Sequence, residues 1–229
     1  MAGGIIVNGL DVPLEAPVLT YEETGLVFTA GVHRRTRHRH DPPDTITWHW
    51  TGGEPRDAST TYKVLRHRGL GVEFALDRDG TIWQFCDPAL TDARDCGSYW
   101  DARSVGVEMI NYGSRAPASK PWSWHVPKRG RDRPVVQSRL RGRTVYVADF
   151  TAEQYAAADA LADALRLAFH IPLAIPLDGK GRVLDRPMDD EATLVWKGGE
   201  VGHLQITTRA KPDPGVVFLE HRARAMGIG

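Results

Sequence analysis

Apolar and polar positions change their period several times along the chain, and this pattern first predicts the strands of a sheet. Residues 45–50, TITWHW, have the β-branched and aromatic content of a strand, and the glycines of TGGEP then end it. Residues 103–113, RSVGVEMINYG, are apolar enough to form a central strand. The segment VEFALDRDGTIWQF, at 72–85, predicts a hairpin that turns at the two residues Asp79 and Gly80.

Three other segments carry the signals of helices. Residues 56–70 predict a helix that the glycines at its end terminate. Residues 151–170 have apolar positions at helical spacing, and Thr151 with Gln154 predicts a capping box at their start. Residues 216–226 predict a closing helix. Strands interleaved with helices indicate an α/β sheet domain.

The domain organisation predicted from length and patterning is one domain with additions. A chain of 229 residues is long enough for one well-formed core. We predict an N-terminal extension at 1–43, made of a strand or hairpin at IIVNGLDV and a basic run at 33–40. The domain proper is predicted at 44–229, with insertions at about 114–149 and 171–200, the second containing a hairpin around LDGKGRVL.

The charge balance argues against a global attraction to polyanions. Lys plus Arg and Asp plus Glu both number 29, so the formal net charge is zero. The basic runs at 33–40 and 128–143 are predicted to be solvated faces, because neither interleaves the aromatic residues typical of single-strand binders. A nucleic-acid-binding protein that uses these runs is the alternative, and we expect no nucleic acid partner.

Composition also bears on the compartment. The N-terminus has neither a charged region nor a sustained apolar region, and no stretch approaches the ~18 apolar residues of a membrane span. We therefore expect a chain made in the cytoplasm without a signal peptide. Cys86 and Cys96 are too few for a disulfide scaffold; we favour free thiols, and one bridge between them is the alternative.

The stretch VGHLQITTRAKPDPG, at 201–215, is the strongest candidate for chemistry. A catalytic zinc takes three protein ligands from histidine, carboxylate or thiolate and leaves a position for water. His203 and Asp213 supply two such groups, and His49 at the end of TITWHW is the best placed third. The alternative is that these are ordinary core and turn residues, since nine histidines allow many such triples.

Four separated motifs resemble one enzyme family. They are WHWTGG, the hairpin DRDGTIWQF, the strand SVGVEM and the stretch GHLQITTRAKPDPG, in this order. Together they resemble the zinc-dependent N-acetylmuramoyl-L-alanine amidases of the type-2 amidase family, which share a fold with peptidoglycan recognition proteins and include phage lysis enzymes. The resemblance covers about 44–226, interrupted by the two insertions. It implies a single domain with a central mixed β-sheet flanked by α-helices.

The resemblance also implies roles for five residues. His49, His203 and Asp213 would bind one zinc ion (Zn2+) per chain. Glu108 would transfer protons between the attacking water and the leaving amine, and Lys211 would stabilise the oxyanion. The implied substrate is peptidoglycan or a muropeptide, cut between N-acetylmuramic acid and L-alanine. The presence of the third ligand favours catalysis over a recognition module that binds without cutting.

The chain departs from the family pattern around the substrate groove. Val72 and Glu73 stand where relatives have an aromatic residue or histidine, so the assisting tyrosine of some relatives has no counterpart there. Cys96 stands where relatives often have a histidine. Glu73 and Cys96 are candidate groove contacts, although for Cys96 we favour a small residue without a role. Trp122 and Trp124 are further candidates that could stack on sugar rings, and a small core that holds the insertion together is their alternative.

The biological setting has three alternatives: a phage endolysin, an injected effector, and a cytoplasmic enzyme that recycles muropeptides. We favour the endolysin, acting as a monomer on the cell wall. A non-catalytic peptidoglycan-recognition module is the main alternative to an enzyme, and metal-dependent turnover separates the two.

Overall fold

The structure is a computed structural model that describes residues 3–34, 36–52, 57–94, 96–112, 114–115, 133–209 and 211–228. Within them the chain forms short strands and seven helices. The strands are β1 (Gly3–Val7), β2 (Leu10–Leu14), β3 (Val18–Leu19), β4 (Arg37–His38), β5 (Thr45–Trp50), β6 (Phe74–Leu76), β7 (Ile82–Gln84), β8 (Thr91–Asp92), β9 (Ser104–Met109), β10 (Ser114–Arg115), β11 (Val135–Leu140), β12 (Arg143–Ala148) and β13 (Gly199–Gly202). The helices are α1 (Tyr21–Thr24), α2 (Ala58–Arg68), α3 (Ser98–Arg103), α4 (Ala152–Phe169), α5 (Asp190–Val195), α6 (His203–Ile206) and α7 (Val216–Ala225).

A six-stranded mixed sheet forms the centre of the molecule, in the order β13-β5-β9-β6-β7-β3. The strands β13, β5, β9 and β6 run parallel to one another, β7 is antiparallel to β6, and β3 is parallel to β7. A separate antiparallel sheet has the order β10-β12-β11. The predicted α/β fold with a central mixed sheet is therefore confirmed.

The two faces of the sheet carry different helices. Trp48 and Val107 belong to the larger core, which includes Leu161 of α4 and Phe218 of α7. On the other face, Tyr62 and its neighbours in α2 belong to a smaller core. Both faces are covered, which explains why nearly every residue of β5 and β9 is buried although polar and apolar residues alternate along both strands.

A buried ion-pair cluster fixes β13 at the edge of this sheet. Glu200 is fully buried, and its carboxylate accepts a hydrogen bond of 2.8 Å from Nε1 of Trp48 in β5. Arg222 of α7 donates to both oxygens of the same carboxylate, at 2.7 and 2.8 Å, and Arg166 of α4 also pairs with it. A buried carboxylate needs such partners. The cluster therefore ties α4, α7, β5 and β13 together.

The β6–β7 hairpin forms as predicted, but its turn is longer. Asp77 donates its N–H to the carbonyl of Thr81 at 2.9 Å, so three residues, Arg78 to Gly80, lie between them instead of the predicted two. Gly80 has a φ of +82°, and the N–H of Gly80 donates to the carbonyl of Asp77. A turn followed by one left-handed residue is the usual three-residue hairpin loop, and glycine suits that position.

The three predicted helices correspond to α2, α4 and α7. The capping box of Thr151 and Gln154 is present, since each side chain bonds the backbone of the other residue. Asp57 caps α2, and Gly69 ends it in the left-handed conformation. The helices α3 and α5 and the helical turn α6 were not predicted, because four to six residues are too few to show a helical period.

The N-terminal segment, predicted as an extension, packs on the main domain. IIVNGLDV forms the hairpin β1–β2, whose residues Ile5 and Val7 are part of the larger core, and β3 adds an edge strand to the main sheet. In the second predicted insertion, Leu177 pairs with Val183 in a short antiparallel bridge. Its last two residues already belong to β13. Within the described residues, no helix has the length and apolar character needed to cross a membrane.

Candidate metal centre

His49 and Glu108 lie next to each other near the carboxyl ends of two parallel strands. His49 pairs in register with Glu108 across β5 and β9, and Glu108 pairs with Ala75 on its other side. Paired residues of neighbouring strands point to the same face of a sheet. Both side chains therefore lie on the α2 face, where His49 is only 2% exposed and Glu108 is half-buried. Ligands commonly bind at this end of parallel strands.

His203 is the first residue of the helical turn α6, directly after β13. Because β13 runs parallel to β5, its end lies at the same edge of the sheet as His49. Gly202, just before it, allows a close approach of the chain: a Cβ atom there would lie 2.7 Å from Cδ of Pro214 and 2.9 Å from Cδ1 of Leu219. Glycine at this position thus lets the loop before α7 pack against the end of β13.

Asp213 reaches the same place from that loop. The carbonyl of Asp213 accepts a hydrogen bond of 2.9 Å from the N–H of Leu204, which anchors the loop to α6. Asp213 is 5% exposed and His203 is 7% exposed, so both side chains are removed from bulk water. The prolines on either side of Asp213 restrict the backbone there.

The three predicted ligands converge on one point. Nδ1 of His49 lies 3.0 Å from Nδ1 of His203 and 3.3 Å from Oδ2 of Asp213. Nδ1 of His203 lies 3.0 Å from the same oxygen. One ligand atom of each residue thus lies within 4.8 Å of the other two. Two imidazoles and a carboxylate with converging donor atoms fit a zinc ion that keeps an open position.

The electrostatics of the group also suit a cation. Burial would raise the pKa of Asp213, but hydrogen bonds with His203 and His49 outweigh it and hold the pKa of this carboxyl well below its usual range. The carboxylate is therefore ionised when the site forms. An ionised carboxylate with neutral imidazoles is the state in which these groups coordinate metals.

A cavity of about 360 Å³ opens over the three residues. Its wall includes the two residues with predicted catalytic roles, Glu108 and the exposed Lys211. The structure thus brings together five residues from three stretches of the sequence, around 49, 108 and 203–213. The other lining residues are Trp50, Thr51, Gly52, Leu65, Arg68, Leu70, Tyr112 and Pro212.

The prediction that Glu73 contacts the substrate groove is wrong. Glu73 is fully buried and lines neither this cavity nor its neighbour. Its carboxylate accepts from Arg39 at 3.0 Å and from the backbone N–H groups of Ala93 and Gly106 at 3.0 and 2.7 Å. With both oxygens occupied by buried donors, Glu73, just before β6, joins that strand to β9 and to the residue that follows β4.

Arg39 was predicted, as part of the basic run at 33–40, to lie on a solvated face, and the structure contradicts this. Only 9% of it is exposed, because it pairs with Glu73 and donates to the carbonyl oxygens of Ala102 and Ser104. Sequence patterning missed this pair, since an arginine within a basic run carries no sign that it is buried. Its partner Glu73, just before β6, had no local signal either.

The remaining predicted groove residues have different outcomes. Cys96 is half-buried and lines a second cavity beside the metal centre, with its thiol 3.2 Å from Oδ1 of Asp101. Cys86 is buried, and no disulfide joins the two cysteines in the structure. Trp122 and Trp124 lie outside the described residues, so their predicted contact with sugar rings stays a prediction.

Solved structures with the same fold include several cell-wall enzymes. The N-acetylmuramoyl-L-alanine amidase LysCS endolysin from Clostridium intestinale URNW is 12% identical, with a TM-score of 0.53 over 93% of this chain and 96% of that chain. A mutant endolysin from Bacillus subtilis is 16% identical, with a TM-score of 0.53 over 94% and 100%. The Ph2119 endolysin from the Thermus scotoductus MAT2119 bacteriophage is 17% identical, with a TM-score of 0.50 over 91% and 98%. At these identities the likeness concerns the fold.

Sequence comparison assigns the family. Comparison with curated proteins yields no match. The profile described as N-acetylmuramoyl-L-alanine amidase matches residues 39–216, which contain His49, Glu108, His203, Lys211 and Asp213. The match spans well over half of the chain, and the mixed sheet agrees with it. The chain therefore belongs to the N-acetylmuramoyl-L-alanine amidase family, whose members hydrolyse an amide bond of peptidoglycan.

Proposed function

We propose that this amidase is zinc-dependent and hydrolyses the amide bond between N-acetylmuramic acid and the L-alanine of the stem peptide. The observation that carries the proposal is the convergence of His49, His203 and Asp213, from three separate segments, beneath one cavity. Glu108 and Lys211 line the same cavity. One bound substrate could therefore contact the metal, the proton carrier Glu108 and the positive charge of Lys211.

In this proposal His49, His203 and Asp213 hold the metal. Bound zinc would polarise the scissile carbonyl and make a water molecule acidic enough to attack near neutral pH. The burial of the three ligands supports the role, because side chains held in a packed sheet, a short helical turn and a loop anchored to that turn do not have to reorganise to bind.

Glu108 is the proposed proton carrier. The attacking water forms a bond to the carbonyl carbon, the bond from that carbon to the amide nitrogen breaks, and one proton must pass from the water to the leaving amine. A half-buried carboxylate beside His49, at the edge of the cavity, is suited to accept that proton and deliver it.

Lys211 is the proposed electrostatic stabiliser. Its ammonium carries a positive charge at the cavity wall, two residues before the ligand Asp213. Negative charge develops on the carbonyl oxygen during attack, and a fixed cation lowers the free energy of that state.

The proposed role is lysis of the bacterial cell wall, as expected for an endolysin. The three solved structures reported above are named as endolysins, and their shared fold covers most of this chain. A lytic enzyme needs access to intact polymer, whereas a recycling enzyme needs only soluble muropeptides. Comparing turnover of intact peptidoglycan with that of soluble muropeptides separates the two settings.

The decisive experiment compares the wild type with Asp213→Ala on purified peptidoglycan, each with and without added zinc. The readout is the release of free L-alanine amino termini. We expect the zinc-loaded wild type to release these amino termini. The rate of release by the variant should be lower by about 10²-fold or more, since removal of one ligand weakens both metal binding and charge stabilisation.

The opposite result is equally informative. Asp163→Ala, a change in an exposed carboxylate of α4, serves as the matched control and should behave as the wild type. If chelated wild type releases as many amino termini as the zinc-loaded protein, the zinc-dependent mechanism is wrong. If zinc-loaded wild type releases none, the proposed bond is not the one that is cut.

A further inference from the structure

A second cavity, of about 560 Å³, adjoins the metal cavity. The two share the lining residues Arg68, Leu70, His203 and Lys211, so the second space borders the metal centre directly. The residues that belong to the second cavity alone are Cys96, Gly97, Thr207 and Arg209.

This second cavity is cationic. Arg68, Arg209 and Lys211 lie around it, and its described lining contains no carboxylate. All three cations are exposed, and their side chains form no ion pair or hydrogen bond with the part of the chain that the structure describes. Three uncompensated positive charges around one concave space attract an anionic group.

The loop that carries Arg209 is held in place. Arg141 donates from Nη2 to the carbonyl oxygens of Thr208 and Arg209, at 3.0 and 2.7 Å. On the opposite wall, the N–H groups of Cys96 and Gly97 both donate to Oδ1 of Asp101, at 2.8 and 3.0 Å. Since these backbone donors are already used, recognition of an anion in this cavity depends on the charged side chains.

We propose that this cavity binds the carboxylate of the residue that follows L-alanine in the stem peptide. The inference rests on the proposed function, because it takes the scissile bond to lie at the metal centre. The residue after L-alanine carries a carboxyl group that is free in D-glutamate and neutral in D-isoglutamine. Arginine pairs with a carboxylate through two parallel hydrogen bonds, which the amide cannot reproduce.

The test measures kcat/KM for two soluble muropeptides that are identical except for this group, D-glutamate in one and D-isoglutamine in the other. Wild type, Arg209→Gln, Arg68→Gln and Arg66→Gln are compared. Arg209 is the sharper probe, because it lines the second cavity only, whereas Arg68 lines both. Arg66 lies on the same helix but lines neither cavity, so Arg66→Gln is the matched control.

We expect the wild type to prefer the free acid by about tenfold, the discrimination that a site built for a charged hydrogen-bonded group gives when it is partly solvated. Arg209→Gln should reduce the preference to about twofold or less, and Arg66→Gln should leave it unchanged. Raising the salt concentration should reduce the wild-type preference, because exposed charges are screened. An unchanged melting temperature (Tm) confirms that each variant is folded.

The subsite is overturned if the wild type has nearly equal kcat/KM values for the two muropeptides, or if Arg209→Gln leaves their ratio unchanged. In either case the muropeptides are still cleaved, so the proposed function stands. If the wild type cleaves neither muropeptide but releases L-alanine amino termini from polymer, the same ratio is measured on polymer that contains D-glutamate and on polymer that contains D-isoglutamine, and a ratio near one there overturns the subsite. If it cleaves neither muropeptide nor polymer, the proposed function fails, and the subsite with it.

Discussion

Glu108 shows how a single residue can be placed by the sequence and given meaning by the structure. A glutamate between Val107 and Met109, inside an apolar strand, needs a compensating environment. Strand geometry turns its neighbours into the larger core and Glu108 toward the opposite face, beside His49. The residue that looks anomalous in the sequence therefore lies at the metal cavity.

Glu108→Gln should lower kcat by about 10²–10⁴-fold, because the amide cannot carry the proton from water to the leaving amine. The shape of the side chain is kept, so zinc content and Tm should match the wild type. Steady-state kinetics on purified peptidoglycan, with metal analysis of the same samples, checks the prediction. Glu22→Gln, at an exposed position in α1, is the control. A kcat within a few-fold of the wild type would assign the proton transfer to another group.

At the scale of single residues, sequence motifs located His49, His203 and Asp213, and the structure brings them together. The same reasoning failed at Glu73, which is buried by Arg39 rather than exposed to the groove. A motif position specifies the backbone neighbourhood of a residue. It does not specify which distant side chain will neutralise it.

At the scale of elements, Asp77 joins the β6–β7 hairpin to the start of α2. Its Oδ1 accepts from the N–H of Ala58 at 2.8 Å, and its Oδ2 accepts from Nε1 of Trp83 at 2.8 Å. Burial raises the pKa of Asp77 to about 6, against the opposing effect of these two hydrogen bonds. One carboxyl thus couples the orientation of a helix and a hairpin to pH.

This coupling has a definite sign. The folded state keeps a proton on Asp77 that the unfolded state has lost between about pH 4 and 6, so the free energy of unfolding falls as pH rises through this window. Relative to Asp77→Asn, the free energy of unfolding of the wild type should fall by about 1–2 kcal/mol between pH 4 and 7. This is less than the full effect of the pKa shift, because the carboxyl is partly solvated.

Urea denaturation of both proteins at pH 4 and 7 measures this difference. Glu22→Gln, which changes an exposed carboxylate of α1 remote from Asp77, should keep the wild-type pH dependence. Parallel stability curves for wild type and Asp77→Asn would show that Asp77 does not carry the effect.

At the scale of the molecule, the metal centre joins segments that are remote in the chain. Its ligands come from β5, from the start of α6 and from the loop before α7, and β9 adds Glu108. On the far side of the sheet, the cluster around Glu200 holds β13 against β5 and α7. The packing of the two faces thus sets the positions of the ligands.

Metal removal should therefore destabilise the whole domain. A ligand present at about 100 times its Kd contributes about 2.7 kcal/mol to the folded state. In a domain of this size that corresponds to a fall in Tm of about 5–10 °C on chelation. Differential scanning calorimetry with and without a chelator measures it. Asp213→Ala should show little further change on chelation, and Asp163→Ala should respond as the wild type does. Equal shifts in both variants would mean that the chelator acts elsewhere.

The sequence by itself determined the elements with strong local signals. The capping box of α4, the glycine end of α2, the strand patterns of β5 and β9 and the position of the β6–β7 hairpin, though not the length of its turn, all depend on residues close in the chain. Local propensity and periodicity are sufficient for these, because the interactions that stabilise them join near neighbours.

Only the tertiary structure decided the strand order, the burial of Arg39 with Glu73, and the cationic cavity around Arg209. Each depends on side chains that are distant in the sequence and approach one another only after the sheet has formed. An arginine has the same local pattern whether it is solvated, buried in an ion pair or turned toward a cavity. The partner decides among these, and the fold supplies the partner.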